Sequence, residues 1–294
     1  MNMKAYGTLL LATCSAILTT QLSTPAHAQA PLSAIGKGEG ELNVVAWEGY
    51  ADDAWVKPFE QTTGCKVHRK YVGSSDEMVA LTRMGGGKGF DVVSASGDAS
   101  LRLIFGKTVQ PLNTALITAF DDIMPELKAP GFNTVKDVHY GVSYEWGPNV
   151  LMWNTKDITT APTSWSIIYD KAYAGVITVP DNPIQIADAA LYLSHTKPEL
   201  GITDPYELTQ PQMDAVVALL KEQRALVKKY WALASDEVDL FKSGDAHVGA
   251  AWPYQANTLR PAGGPVQDII PLEGATGRAV SWLLRTHPQH PTRA

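Results

Sequence analysis

From Glu41 onward, apolar and polar positions alternate in short runs that are separated by helical patterns. Leu42-Asn-Val-Val-Ala-Trp47 reads as a strand ended by Gly49, and Ala54, Trp55 and Phe59 then recur at helical spacing up to a stop at Gly64. Lys66 to Val72 alternates again. Ser74-Ser-Asp-Glu77 offers a capping box ahead of Met78, Val79 and Leu81. Phe90-Asp-Val-Val-Ser94 predicts a third strand, with a further helix through Leu101 to Phe105. Repeated β-α units of this length predict a largely parallel sheet covered by helices.

A second unit is expected from about Trp146. Asn149 to Trp153, Gly175 to Pro180 and Ala246 to Trp252 read as its strands. Its clearest helix is expected over Gln212 to Trp231. There Thr209-Gln-Pro-Gln212 supplies a capping box with Pro just inside the start, and Met213, Val216, Val217, Leu220, Val227 and Trp231 share a face. That stripe is a packing face. Val266 to Pro271 leads back toward the first unit, so the division is 41–145 with 272–294 as one lobe and 146–271 as the other. No internal repeat or low-complexity tract is present.

The chain begins with Lys4, an apolar stretch from Ala5 to Leu22, and small residues at Ala26 and Ala28. This is the pattern of a cleavable secretory signal over 1–28, with cleavage after Ala28, followed by a flexible lead-in over 29–40. The expected location is therefore the periplasm. A lipoprotein reading through Cys14 is disfavoured by Thr13 before it. The chain carries 24 Lys+Arg against 30 Asp+Glu, a net charge of -6, which argues against a nucleic-acid partner and tolerates a cationic solute. Of the two cysteines, Cys65 lies in the mature part. A buried structural cysteine and one that has lost a disulfide partner are both open readings.

Catalytic signatures are wanting: there is no G-x-S-x-G, H-E-x-x-H or helical histidine pair. Ser94-Ala-Ser-Gly97 lacks the leading glycine of a nucleophile elbow, and Gly85-Gly-Gly-Lys88 lacks the Walker spacing. A secreted hydrolase is thus the weaker alternative, and neither a cofactor nor a metal site is expected. More informative are the aromatic clusters Trp47-Glu-Gly-Tyr50, Tyr144-Glu-Trp146 and Trp252-Pro-Tyr254, which fall at strand ends or at the handover between units. In open α/β sheets ligands collect outside the carboxyl ends of strands. Facing rings with an occasional carboxylate suit an organic cation, each ring contributing about 0.5–2 kcal/mol.

These residues resemble the periplasmic polyamine (spermidine/putrescine) receptors of ABC importers. The resemblance runs from Glu41 to about Leu284 and is carried by Val44-Val-Ala-Trp-Glu-Gly-Tyr50, Phe90 to Asp98, Val109-Gln-Pro-Leu-Asn113, Tyr144 to Asn149, Ile186-Ala-Asp-Ala-Ala190 and Ala250 to Asn257. It implies the two-lobed type II binding-protein fold, α/β with mostly parallel sheets and flanking helices, acting as a monomer that closes on its solute and serves an inner-membrane permease. By the same resemblance Trp47 and Tyr50 match the aromatic pair around an amine chain, Ser96 a serine at the cleft edge, and Trp252 a stacking ring of the second lobe. Asp181 is the candidate amine-binding carboxylate, and Trp146 and Tyr254 are outer candidates. Arg278 and Val280 depart from the family, standing where it has a Trp and an amine-capping Asp. Relatives also run on well past the position of His290-Pro291, so a fold incomplete at the C-terminus is expected, with a truncated, non-functional receptor as the alternative.

Overall fold

In the computed structural model the described residues are 30–36, 40–83 and 89–290. The expected signal segment and the Gly85 to Lys88 stretch lie outside them. The first strand, β1 (Glu41–Trp47), buries residues on both of its faces and pairs in parallel with β2 (Lys66–Val72) and β3 (Val92–Ser96). Helix α1 (Asp53–Thr63) lies between β1 and β2 in the chain and ends at Gly64, whose φ of 70° places its N–H 2.8 Å from the Glu60 carbonyl. Ahead of α2 (Ser75–Arg83), the Ser74 hydroxyl accepts from the Glu77 N–H at 3.1 Å. The Glu77 carboxylate turns back to Gly73 N–H rather than to Ser74, a one-residue variation on the expected box. Helix α3 (Gly97–Phe105) follows β3.

After the short α4 (Pro125–Lys128) and the small hairpin of β4 (Thr134–Val135) and β5 (Val138–His139), strand β6 (Gly141–Pro148) joins the first sheet. The second sheet is built from β7 (Val150–Asn154), β8 (Ile177–Pro180), β9 (Val227–Trp231), β10 (Val248–Ala251) and β11 (Val266–Ile269). Helices α5 (Ile184–Thr196), α6 (Gln210–Arg224), α7 (Ala234–Ser243) and α8 (Pro253–Leu259) connect these strands. Strand β12 (Gly277–Leu284) returns to the first sheet, giving the orders β2-β1-β3-β12-β6 and β11-β7-β10-β8-β9. Both sheets are mixed. Parallel pairing holds for β2-β1-β3 and β10-β8-β9, while the strands on either side of each inter-sheet crossing pair antiparallel.

The expected helix from Gln212 to Trp231 is corrected. Its start is as read, with the Gln212 side chain accepting from Thr209 N–H at 2.8 Å, but α6 stops at Arg224 and residues 227–231 form β9. The reason is tertiary. Parallel pairing with β8 satisfies the 227–231 backbone, and the strand carries Trp231 into full burial, where its Nε1 donates to the Ala250 carbonyl at 3.2 Å. A helical Trp231 would forgo both.

Cys65 is buried, in keeping with the structural reading. Asp91, just ahead of β3, collects bonds from Asn43 N–H and amide (2.9 and 3.0 Å), from the Gln289 and His290 N–H groups (2.7 and 2.9 Å) and from His290 Nδ1 (2.9 Å). Burial alone would raise this carboxyl. The bonds from His290 and Asn43 outweigh it and hold Asp91 below the usual range.

Candidate binding site

The chain passes between the sheets twice, at Asn149 and between Ile269 and Gly277, and the two crossings lie side by side. Asn149 N–H donates to the Thr276 carbonyl at 2.9 Å, and Pro148 pairs with Gly277. The Tyr206 hydroxyl donates to the Gly277 carbonyl (2.6 Å) and accepts from its N–H (2.9 Å). Beneath them sits Asp188, fully buried on α5. Its carboxylate receives the Thr276 hydroxyl and the Asn149 amide, the latter 3.1 Å from each oxygen. Burial pushes Asp188 up to about 6, with Thr276, Asn149 and the charge of Arg278 acting in the opposite direction.

Around this junction two aromatic groups face each other. On the first sheet Tyr50 meets Tyr144 edge-on at 6.1 Å, and Tyr144 stacks on Trp282 at 4.8 Å and shares a 2.6 Å hydrogen bond with Ser94. On the second, Trp252 meets Trp231 edge-on at 4.9 Å and also touches Trp47 of β1 edge-on at 6.1 Å. Arg278, projecting from β12, joins the two groups. Its guanidinium lies 4.7 Å from the centre of the Trp252 ring, its Nε donates to the Tyr50 hydroxyl at 3.0 Å, and Nη1 reaches Asn149 Oδ1 at 3.4 Å. Burial pushes the Tyr50 phenol and the Glu145 carboxyl up, and the Arg278 charge opposes both shifts.

Local sequence explains these placements. Trp252 directly follows β10 and stands at the N-cap of α8, where Pro253 opens the helix and Gln255 Oε1 accepts from Trp252 N–H at 3.1 Å. Gly49 lets β1 turn with φ of 89°, and a Cβ there would lie 2.7 Å from Cε2 of Tyr254, so the two units touch closely at this point. Glu48 beside it accepts from Ser235 N–H of α7 at 2.8 Å. The Nε1 of buried Trp47 has no hydrogen-bond partner among the described residues.

Of the residues singled out from sequence, Trp47, Tyr50, Trp252 and Tyr254 converge. Ser96 lies on the same edge, at the end of β3 opposite Val280. Asp181 does not converge: its N–H bonds to Trp231 O at 2.7 Å, but its side chain is exposed and makes no hydrogen bond or ion pair among the described residues. Trp146 is 61% exposed and alternates with Glu145 along β6, which places it on the opposite face from Glu145 and Val280. Asn149, Asp188 and Thr276 escaped sequence reading as site residues. The one local hint was an aspartate in the apolar Ile186 to Ala190 run.

Beside the junction, an apolar groove of about 970 Å³ runs along one face of the first sheet, lined by Leu42, Val44, Val56, Phe59, Val142 and Trp282 and ending at Tyr50, Glu145 and Tyr254. Among the described residues no group of three or more His, Cys, Asp or Glu is placed to hold a metal, and no helix is long and apolar enough to cross a membrane.

Two mixed sheets with flanking helices, joined by paired crossings at an aromatic junction, define a type II binding-protein fold. The chain belongs to the bacterial extracellular solute-binding protein family, whose sequence model matches residues 54–293. It is 24% identical over 234 residues to the spermidine/putrescine-binding periplasmic protein of Salmonella typhimurium, covering 78% of this chain and 63% of that one. It is 26% identical over 251 residues to the putrescine/cadaverine-binding protein of Pseudomonas aeruginosa, covering 80% and 67%. The crystal structure of the TpPotD lipoprotein of Treponema pallidum superposes with a TM-score of 0.72 at 18% identity, over 86% of this chain and 77% of that one. The chain therefore spans less than two thirds of the Salmonella relative's length.

Proposed function

We propose that this protein is the periplasmic solute receptor of an ABC importer, built to take a polyamine or a related small cationic solute and deliver it to an inner-membrane permease. The two sheets act as lobes that close on the solute, with Trp47 and Tyr50 contributed by the first and Trp252 and Tyr254 by the second. The observation that carries this reading is a positive charge already held at the junction, over the Trp252 ring and against the Tyr50 hydroxyl. Rings from both units thus form a cation seat. Family membership and the polyamine-binding relatives support the same reading. Catalysis has no place in this role, because import is driven by the partner ATPase. Cleavage after Ala28 would release the receptor as a monomer.

Amine affinity is expected to be weak. A buried ammonium deprived of its carboxylate loses about 2–5 kcal/mol, or about 30- to 3000-fold. Asp181 is exposed, and the position expected for a capping Asp holds fully buried Val280. Titrating tryptophan fluorescence with putrescine, spermidine, amino acids and sugars tests the reading. A saturable response confined to amines is expected. Saturation by a neutral sugar without any amine response would overturn the ligand class.

A further inference from the structure

We infer that Arg278 is a tethered occupant of the cation seat, so that the chain supplies from its own β12 the guanidinium that this seat would otherwise take from solution. The inference rests on reading the junction as the solute site. Its observations are the partners of Arg278 and their origins. Tyr50 lies in the turn after β1 of the first sheet, Trp252 just after β10 of the second, and Asn149 in the crossing between them. All three are neutral.

Some arginines of this chain hold carboxylates directly, as Arg69 does with Asp53 at 2.8 Å and Arg102 with Asp76 at 2.7 Å. Arg278 has no carboxylate within 4.0 Å among the described residues, and Glu145 and Asp188 act on it only through longer-range attraction. It is therefore bound as a free solute cation would be, by a ring face and neutral acceptors from two separate units. The ligand class follows from the shape of the contacts. Nε and Nη1 donate in different directions in one plane while the planar head lies by a ring, which suits a delocalised guanidinium better than a compact ammonium.

A tethered group competes at an effective concentration of roughly millimolar or above. Small cations in solution then meet a seat that is filled. Removing the head while keeping the rest of the chain should open a space fitted to methylguanidinium.

The experiment compares the full chain with Arg278→Ala and with Arg278→Ala/Trp252→Ala. It follows tryptophan fluorescence and thermal melting on adding low millimolar methylguanidinium chloride, with methylammonium chloride and sodium chloride at equal ionic strength as controls. Arg278→Ala should respond saturably to methylguanidinium, at least about tenfold more tightly than the parent, and methylammonium should bind more weakly. The additional loss of Trp252 should weaken that response about 2- to 30-fold. Equal responses in parent and Arg278→Ala would overturn the inference, as would an affinity that loss of Trp252 leaves unchanged. Should Arg278→Ala fail to fold, Arg278→Met keeps the aliphatic stem and is held to the same outcomes. The two readings separate cleanly. A parent that saturates with a natural amine while Arg278→Ala ignores methylguanidinium keeps the receptor reading and discards the tethered cation, whereas an Arg278→Ala chain that takes methylguanidinium but neither putrescine nor spermidine keeps the tethered cation and discards the polyamine reading.

Discussion

The second sheet is covered on both faces and the first is not. Along β7, Leu151 and Trp153 pack with Trp165, Ile168, Ile177 and Val248 on one side, whereas Val150 and Met152 pack with Phe241, Leu259 and Val266 on the other. Alternation along one strand thus feeds two closed cores. The strands of the first sheet alternate in the same way, yet one face opens into the apolar groove lined by Leu42, Val44 and Trp282. A strand pattern specifies which face turns inward, but a closed core also needs covering elements. The cation seat lies at the end of the open groove, so the region that binds is the less completely packed one, as expected where a protein must rearrange around a ligand.

Paired core truncations give the largest expected effect. Leu151→Ala, in the second sheet, removes a fully buried side chain from a closed core and should cost about 2–5 kcal/mol. Leu112→Ala, at the groove, removes a half-buried side chain that already borders open space, and should cost less than about 1 kcal/mol. Urea denaturation of both measures the gap. Equal losses would mean that the groove is closed in solution.

Two aspartates sharpen the comparison through pH. Asp91, beside the first sheet, is held below its usual value, so its stabilisation is present above the unfolded pKa of about 3.9 and is lost as pH falls through the folded one. Asp188 is raised to about 6, so the native state keeps a proton that the unfolded chain releases, and stability falls as pH rises from about 4 to 6. Asp188→Asn removes that cost. Relative to the parent its stability should climb by up to about 3 kcal/mol over this window and stay level above it. Asp91→Asn should show the opposite sign, its deficit shrinking on acidification. Guanidinium unfolding at stepped pH separates the two, and pH-independent differences for both would refute the assignment.

Much of the first sheet was legible because its signals are local: alternation over Leu42 to Trp47, a stop at Gly64, and a capping serine at Ser74. The 227–231 segment is ambiguous in sequence because Val227 and Trp231 suit a helix face as well as a strand. Only the pairing partner β8, 51 residues away at Thr178 and Lys229, decides between them. The Asn149, Asp188 and Thr276 cluster joins positions 39 and 127 residues apart, which no spacing rule reaches. Arg278 stands out in the sequence as a departure from a family pattern, but its partners come from both sheets and from the crossing between them, which no local signal joins.

Trp146 provides the smallest expected effect and the finest test. Sequence reading grouped Tyr144-Glu-Trp146 as one aromatic cluster, but in a strand neighbouring side chains point to opposite faces. Tyr144 is the extra residue at a register shift opposite Val280 and Ser281, which breaks the alternation and lets its ring stack on Trp282 and meet Tyr50, while Trp146 stays 61% exposed with Ala279 as its register partner. Arg278 pairs with Gly147 and Val280 with Glu145, one position to either side of Trp146, which keeps the cation seat across the sheet from that ring. Trp146→Ser should therefore change stability by no more than about 0.5 kcal/mol and leave the methylguanidinium response of Arg278→Ala unaltered. Trp252→Ala should weaken it. Loss of the response with Trp146→Ser, and an undiminished response with Trp252→Ala, would move the seat to the outer face of β6 and undo the division between a binding face and a solvent face on which the site assignment stands.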